Sequence, residues 1–193
     1  MDIVVKVFSE TECDLIIKDF IDNAEHVKLS TDHGISRISS YEIDIKNLSN
    51  RIRNLINNRV NQNLLSKTGG KIGMVFGVRY SLDTKSDMEP HYDCSSYSCV
   101  IKLNNDYEGG GTYFPLDGGV LSPTEIGNGL LFKADTIDSY HSAYPITKGV
   151  RYVLVVRIEK HGVIRQLLKA CFLHFVDKYI RKNKIKLYKK PLI

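Results

Sequence analysis

The hydrophobic period of this chain changes from helical to alternating near Gly69-Gly70, and that change constrains the fold most. Over residues 45–65, apolar side chains recur at helical spacing and predict an amphipathic helix that the two glycines end. From residue 71 the period is two, as in "KIGMVFGVRY", and further short strand-like segments continue to about residue 159. Helices followed by many short strands predict an α+β chain whose sheet part is a sandwich or barrel.

The N-terminal part carries its own start signals. Residues 3–8, "IVVKVF", predict a short strand, and Ser9 with Glu12 has the spacing of a helix capping box. The polar stretch 28–42 predicts a loop. We therefore expect flanking helices over about 9–66 and a β core over about 71–159.

Charge is distributed unevenly, although the formal net charge is +5. Residues 161–193 contain nine Lys/Arg and one acid, Asp177, whereas residues 1–160 contain 18 basic and 21 acidic side chains. The mildly acidic main part does not fit a nucleic-acid-binding surface. We expect a domain over 1–160 and a basic C-terminal extension over 161–193.

The extension predicts an amphipathic helix followed by the basic segment "RKNKIKLYKK". Seven residues share the expected apolar face: Ile164, Leu167, Leu168, Cys171, Phe172, Phe175 and Tyr179. We expect this face to dock on the sheet and the basic end to be solvated. The alternative is attachment to an acidic partner, an anionic membrane surface or nucleic acid.

Cysteine usage and hydropathy indicate a cytoplasmic protein. The four cysteines lack CxxC spacing and suit reduced thiols. The N-terminus lacks the layout of a secretory signal, and no run of about 18 apolar residues predicts a transmembrane segment.

The segment "EPHYDCSSYSCVIKL", residues 89–103, carries a candidate metal site. Residues i and i+2 of a strand share a face, so His91 and Asp93 could reach one ion, although either residue alone is more typical of a polar turn. His141 adds a second imidazole from a later β-rich segment. Two imidazoles and one carboxylate form the facial triad of non-haem Fe(II) oxygenases.

Two further residues suit an acidic co-substrate such as 2-oxoglutarate. Arg151 lies ten residues after His141, in phase with inward-pointing valines of a β-branched strand. A guanidinium binds a carboxylate in a bidentate manner and is costly to bury unpaired. Tyr80, at the end of the apolar face of its own strand, could add a hydroxyl donor.

Motifs in fixed order make the chain similar to a known family. The segments "FGVRYSLDTKSDMEPHYDCSSYSCVIKLNNDYEGGGTYF" and "HSAYPITKGVRYVLVV" contain RY, PHxD, DYEGGG and H-x9-R. They resemble the catalytic domain of the collagen lysyl hydroxylases over roughly residues 73–159. They resemble the prolyl 4-hydroxylases more distantly, within the 2-oxoglutarate- and Fe(II)-dependent oxygenases.

The resemblance implies a fold, a site and an activity. The fold would be a double-stranded β-helix, or jelly roll. His91, Asp93 and His141 would ligate Fe(2+), and Arg151, with Tyr80 beside it, would hold the far carboxylate of 2-oxoglutarate. With O2, and ascorbate as a candidate reductant, the enzyme would couple decarboxylation to succinate with hydroxylation of a peptidyl side chain.

Several alternatives stay open. Lysyl hydroxylation is the first expectation and prolyl hydroxylation the second. Arg157, six residues beyond Arg151, matches a feature of nucleic-acid demethylases, and an inactive jelly-roll binding module is the non-enzymatic reading. A homodimer is a further open assembly.

Other residues near the motif carry weaker expectations. Asp83, Asp87 and Glu89 could attract a substrate ammonium, or form a solvated acidic loop. Residues 109–111, all glycine, predict a tight turn. We expect Cys94 to pack away from the ion, and Val100 stands where the family suggests a polar side chain.

Overall fold

A computed structural model describes residues 3–30, 40–93, 95–116 and 118–182. The helices are α1 (Glu10–Asp22), α2 (Asn50–Val60), α3 (Ser66–Thr68) and α4 (Val163–Lys182). The strands are β1 (Ile3–Lys6), β2 (Lys28–Ser30), β3 (Ser40–Asp44), β4 (Lys71–Ser81), β5 (Met88–His91), β6 (Tyr97–Lys102), β7 (Tyr107–Gly109), β8 (Thr112–Phe114), β9 (Gly119–Leu121), β10 (Asn128–Lys133), β11 (His141–Ala143) and β12 (Ile146–Glu159). None of the described helices is long and apolar enough to cross a membrane.

Two antiparallel sheets hold these strands. The larger has the order β1-β10-β6-β12-β4-β3-β2, with β7 also paired to β12, and the smaller has the order β5-β11-β8-β9. The longest strand, β12, pairs with β4, β6 and β7. Helices combined with antiparallel sheets confirm the α+β class that the sequence predicts.

The N-terminal helices start and stop where local chemistry directs them. The main-chain N–H of Ser9 donates to Glu12 Oε2 over 2.8 Å, and the N–H of Glu12 donates to Ser9 Oγ over 3.2 Å, which confirms the predicted capping box. The second predicted helix begins later than expected, because Ser49 caps α2. Gly69 ends α3 with a φ of 64°, which L residues rarely adopt.

The larger sheet is buried on both faces. Ile16 and Phe20 of α1 and Ile52 of α2 belong to one core cluster with Cys99 and Ile101 of β6. On the opposite face, inward residues of β4 cluster with a residue of the smaller sheet: Phe76, Val78, Tyr80 and Met88. The space between the two sheets is therefore lined by alternate residues of β4, β6 and β12.

One glycine allows the helix layer to approach the sheet closely. A Cβ on Gly77 would lie 2.5 Å from Cε2 of Phe20. Phe20 consequently packs directly over the main chain of β4. Helix α1 thereby positions the strand that carries Tyr80.

The predicted loop over 28–42 is wrong at both ends. β2 and β3 form there and pair with each other, and β3 pairs with β4. The polar composition of this stretch hides the strands, because β-strand formation depends on the neighbouring strand as much as on intrinsic preference. Residues 31–39 and Cys94 lie outside the described residues, and the domain division at residue 160 stays a prediction.

Helix α4 docks through a face other than the predicted one. Leu173, with Val176 and Ile180, packs on Tyr92 and Tyr140. The seven residues of the predicted docking face are exposed instead. The basic segment from residue 183 onward lies outside the described residues.

Polar contacts explain why α4 docks in this orientation. The Tyr140 hydroxyl donates to Asp177 Oδ1 over 3.1 Å, and Arg181 Nε donates to both oxygens of the same buried carboxylate. Arg181 Nη2 also donates to the carbonyl of Pro90 over 2.6 Å. A helix that is apolar on several sides is oriented by such specific pairs, which spacing alone does not reveal.

Candidate metal centre and adjoining cavity

The three predicted ligand residues lie together. His91 ends β5 and His141 begins β11, and the two are cross-strand partners, with ring centroids 4.4 Å apart. Asp93 follows two residues after His91. One potential ligand atom from each of the three buried side chains lies within 4.8 Å of the others. The three residues form a compact cluster because β5 and β11 pair in the register that places His91 opposite His141.

Main-chain carbonyls orient both imidazoles. His91 Nδ1 lies 2.9 Å from the carbonyl oxygen of Glu89, and His141 Nδ1 lies 2.8 Å from that of Ser139. A carbonyl only accepts, so each Nδ1 carries the hydrogen and each Nε2 presents a lone pair. The Nε2 atoms lie 3.6 Å and 3.7 Å from oxygens of Asp93. This is the donor set of a two-histidine, one-carboxylate iron site.

Two donors fix the carboxylate of Asp93. Arg157 Nη2 donates to Oδ1 over 2.7 Å, and Ser98 Oγ donates to Oδ2 over 2.5 Å. Burial raises the pKa of Asp93, but the charge of Arg157 and the neighbouring imidazoles outweigh it and hold this pKa well below its usual range. The carboxylate is therefore ionised and ready to bind a cation.

Burial also keeps His141 neutral. Desolvation, followed by the proximity of His91, lowers the pKa of His141 to about 4. A neutral imidazole is the form that binds a metal ion. The protonation states of Asp93 and His141 therefore both suit a divalent cation.

Arg151 is a buried cation without a carboxylate partner among the described residues. It points from β12 toward Tyr80 of β4, its cross-strand partner, and its Cζ lies 5.1 Å from the ring centroid of that tyrosine. Its Nε has no hydrogen-bond partner. A buried guanidinium in this state is suited to an anionic group of a bound molecule.

Gly110 makes room for the Arg151 side chain. A Cβ at this position would lie 3.0 Å from Arg151 Cδ, and the φ of 73° is in the left-handed region. The residues 109–111 form the predicted turn, here between β7 and β8. That turn also covers the arginine of the neighbouring strand.

One cavity joins the three candidate metal ligands to Arg151 and Tyr80. Its lining residues come from both sheets: Glu42, Phe76, Tyr80, Met88, His91, Asp93, Val100, Thr112, His141, Ser142, Ala143, Arg151, Val155 and Arg157. Val100 lies in this wall, at the position where the family resemblance suggests a polar side chain. Burial raises the pKa of Tyr80 despite the nearby charge of Arg151, so its hydroxyl stays protonated and can donate a hydrogen bond.

Sequence reasoning missed several residues of this cavity. Ser98 binds Asp93, and Glu42, Thr112 and Ser142 line the wall. Ser98 could have been found, because it lies two residues before the inward-facing Val100 on β6 and so shares its face. Glu42 and Ser142 lie on strands that were not predicted, because one is polar and the other short.

Arg157, the residue that matched a demethylase feature, binds the candidate ligand Asp93. Its Cζ also lies 5.3 Å from the ring centroid of Phe76. Both contacts hold its guanidinium beside the metal-binding residues. In this position it orients a carboxylate of the protein.

The acidic loop before the triad is partly neutralised within the protein. Arg79 donates to Asp83, and Lys85 donates to Glu89. Asp87 has no ion pair with any described residue, and it directly precedes Met88, which lines the cavity. Asp87 is therefore the loop carboxylate best placed to meet a cation from solvent.

The chain is similar in sequence to curated lysyl hydroxylases, although no family model matches it. It is 34% identical over 87 residues to "Procollagen lysyl hydroxylase and glycosyltransferase" of Acanthamoeba polyphaga mimivirus, covering 44% of this chain and 10% of that protein. It is 36% identical over 91 residues to the human "Multifunctional procollagen lysine hydroxylase and glycosyltransferase", covering 46% and 12%. The matched segments span only about a tenth of these relatives.

Solved structures show the same fold. A viral collagen prolyl hydroxylase from Paramecium Bursaria Chlorella virus-1, in a 2OG complex, aligns with a TM-score of 0.59 and 16% identity over 84% of this chain and 96% of that one. A Pseudomonas putida prolyl-4-hydroxylase aligns with a TM-score of 0.52 and 14% identity over 83% and 93%. The sequence motifs, this fold and the His91–Asp93–His141 cluster make the chain similar to the 2-oxoglutarate- and Fe(II)-dependent oxygenases.

Proposed function

We propose that this chain is a dioxygenase that uses Fe(II), 2-oxoglutarate and O2 to hydroxylate a peptidyl side chain, lysyl in the first instance. One observation carries the proposal. The cavity that contains the neutral His141, His91 and the ionised Asp93 also contains Arg151, a buried cation without a described carboxylate partner. An ion and an acidic co-substrate that bind each other require this adjacency.

The residues fit the groups that the family uses. His91, Asp93 and His141 would hold Fe(2+), and Arg151 would hold the far carboxylate of 2-oxoglutarate. When bound, iron and 2-oxoglutarate supply the oxidising chemistry that couples decarboxylation to succinate with insertion of oxygen into a C–H bond. Ascorbate as reductant belongs to the same proposal.

The protein's own side chains orient and shield the reactants. The buried Arg151 would pair with the far carboxylate of 2-oxoglutarate, and the Tyr80 hydroxyl would donate to the same group. Phe76, Val100 and Val155 form the apolar wall and exclude water from the reacting atoms. With both sheets facing this cavity, the double-stranded β-helix is the fold that we propose for the core.

Lysyl peptides are the proposed substrate because the segment with the motifs is similar to lysyl hydroxylases. The prolyl hydroxylases share the fold at identities too low to indicate a substrate. Asp87 supports a cationic side chain, since it directly precedes the cavity residue Met88 and has no ion pair with a described residue. Its carboxylate would attract the lysine ammonium at the cavity mouth.

The experiment incubates the purified chain with Fe(II), 2-oxoglutarate and ascorbate and with lysine-rich or proline-rich peptides. Succinate release is measured together with the gain of one oxygen atom per peptide by mass spectrometry. We expect the gain on lysine. A gain on proline alone would exclude lysyl specificity while keeping the dioxygenase proposal.

Two other outcomes would overturn the proposal. Succinate release with methylated oligonucleotides alone would favour a nucleic-acid demethylase. No turnover, together with no iron binding, would favour an inactive binding module. Arg151→Met serves as the matched control, because it should lower succinate release at low 2-oxoglutarate concentration without removing a metal ligand.

The role of Asp87 is tested against its neighbour Asp83. We expect Asp87→Asn to raise KM for a lysyl peptide several-fold without changing the KM for 2-oxoglutarate. Asp83→Asn should change neither constant, because Arg79 already neutralises Asp83. Equal effects of the two substitutions would assign the loop a general electrostatic role.

A further inference from the structure

The exposed face of α4 is unusually apolar. We name it the outer stripe: Ile164, Leu167, Leu168, Cys171, Phe172, Phe175 and Tyr179. Leu168 and Phe175 are each 68% exposed, and Ile164 is 77% exposed. The opposite face of the same helix is already docked through Leu173. A row of this length on a surface marks an interaction site.

The exposed charges along α4 are basic. Arg165, Lys178 and Lys182 are exposed, and the one acid of the helix, Asp177, is buried against Tyr140 and Arg181. The sequence after residue 182 adds four lysines and no acid. The partner of the outer stripe therefore meets positive charge along the helix and beyond it.

A basic cleft lies beside the N-terminal half of α4. Its walls include Lys133, Lys160, His161, Arg165 and Lys169. The acid in the cleft, Asp135, pairs with Lys169. Arg165 belongs to both the cleft and the helix, so the positive surface continues from the sheet onto the border of the outer stripe.

We infer that the outer stripe lies in the surface of an anionic lipid membrane. A helix with an apolar face, Phe and Leu anchors and Lys/Arg neighbours binds in the plane of the headgroup layer. At 20 residues, α4 is about 30 Å long and presents this face as one continuous contact. The basic cleft and the exposed basic residues of α4 meet lipid phosphates and carboxylates.

Charge distinguishes this partner from a second copy of the chain. Pairing two outer stripes would bring together two segments that each contain nine basic residues and one acid. Like charges at a desolvated interface oppose association. An anionic bilayer neutralises the same charges and buries the same apolar side chains.

The test measures co-sedimentation of the full chain with vesicles. One set is phosphatidylcholine, and the other contains about 30% phosphatidylserine at the same total lipid, a composition that gives a negative surface potential. We expect binding to the anionic vesicles that weakens as salt rises, because screening reduces the attraction of the basic residues. Equal binding to both sets, or none to the anionic set, would overturn the inference.

Substitutions in the outer stripe test the apolar contribution. Phe172→Ser with Phe175→Ser should weaken anionic-vesicle binding at least about tenfold. The matched control, Val4→Ser with Leu82→Ser, removes exposed apolar side chains from other surfaces and should leave binding unchanged. Equal loss in both pairs would contradict the inference.

Charge reversals test the basic contribution. Lys178→Glu with Lys182→Glu should weaken binding at least about tenfold, since each basic residue near an anionic surface contributes about 1 kcal/mol. Lys18→Glu with Lys46→Glu, exposed in the N-terminal helical part, is the control. A control pair that weakens binding equally would indicate attraction by net charge without docking of α4, and would overturn the inference.

A fluorophore on the native Cys171 gives a readout that needs no amino-acid substitution in the outer stripe. Cys171 is exposed, whereas Cys13 and Cys99 are buried. An environment-sensitive fluorophore on Cys171 should shift to the blue on anionic vesicles, and a labelled Cys171→Ser sample gives the background. An unshifted spectrum, or a stripe-dependent dimer or nucleic-acid complex in place of vesicle binding, would overturn the inference. None of the substituted residues lines the cavity, so catalysis and docking are tested separately.

Discussion

The two parts of the cavity, one beside the candidate metal ligands and one beside Tyr80, each contain an arginine, but only one of the two arginines is paired with a described carboxylate. Beside the metal-binding residues, Arg157 is paired with Asp93. Beside Tyr80, Arg151 is buried on the same strand without a described carboxylate partner. Strand β12 therefore supplies one arginine that pairs with a carboxylate of the protein and another whose buried guanidinium suits an external anion.

The largest effect is expected from the carboxylate of the metal-binding part. Asp93→Ala removes the anionic donor and leaves Arg157 unpaired, so iron binding and succinate release should both fall below detection. Iron content after dialysis and succinate release measure this. Asp106→Ala, an exposed carboxylate elsewhere, is the control and should behave as the parent chain. Retained iron in the Asp93 variant would remove it from the ligand set.

The next effect separates the two arginines. Arg151→Met should raise the KM for 2-oxoglutarate about 100-fold, since loss of one partner of a buried charge pair costs roughly 2–5 kcal/mol. Iron affinity should change little, because Arg151 contacts no metal-binding residue. Titration of iron and of 2-oxoglutarate separately provides the check. Loss of both affinities together would show that the two parts are one unit.

Arg157→Leu is the converse substitution. It should weaken iron binding about 10- to 100-fold, as expected for loss of a residue that orients a metal ligand. The KM for 2-oxoglutarate should stay within a few-fold of the parent value. Arg157→Lys, which keeps the charge but not the fork, should recover part of the iron affinity. A selective effect on 2-oxoglutarate would reverse the roles assigned to the two arginines.

The smallest effect is expected at Tyr80. Tyr80→Phe keeps the ring beside Arg151 and removes one hydroxyl donor, so the KM for 2-oxoglutarate should rise about fivefold, equivalent to about 1 kcal/mol. Steady-state kinetics at saturating peptide measure it. A change in kcat with an unchanged KM would mean that the hydroxyl acts on the reaction and not on co-substrate binding.

Local signals in the sequence were sufficient for much of the structure. The capping box at Ser9 and the strand ending in Tyr80 depend on neighbouring residues, and both form. The cluster of His91, Asp93 and His141 was predictable because the PHxD and H-x9-R motifs resemble those of a known family, in which these distant positions lie together.

Other features depend on contacts that no local pattern encodes. Ser98 and Arg157 reach Asp93 across 5 and 64 positions of the chain. The docked face of α4 is chosen by Asp177 and Arg181 rather than by its most apolar stripe. The strands β2 and β3 are polar and form because β4 offers an edge to pair with.

The pairing pattern of β12 gives the two parts of the cavity different susceptibility to local opening. Arg151 and Arg157 lie on a 14-residue strand that pairs with three others, so we expect their amides to exchange with solvent slowly, together with the larger sheet. His141 lies on a three-residue strand of the smaller sheet, where we expect local opening to cost less free energy. A bound ion that joins His91 to His141 would oppose this opening. A metal at this place would therefore stabilise the smaller sheet, whereas the larger sheet holds Arg151 in position before any ligand arrives.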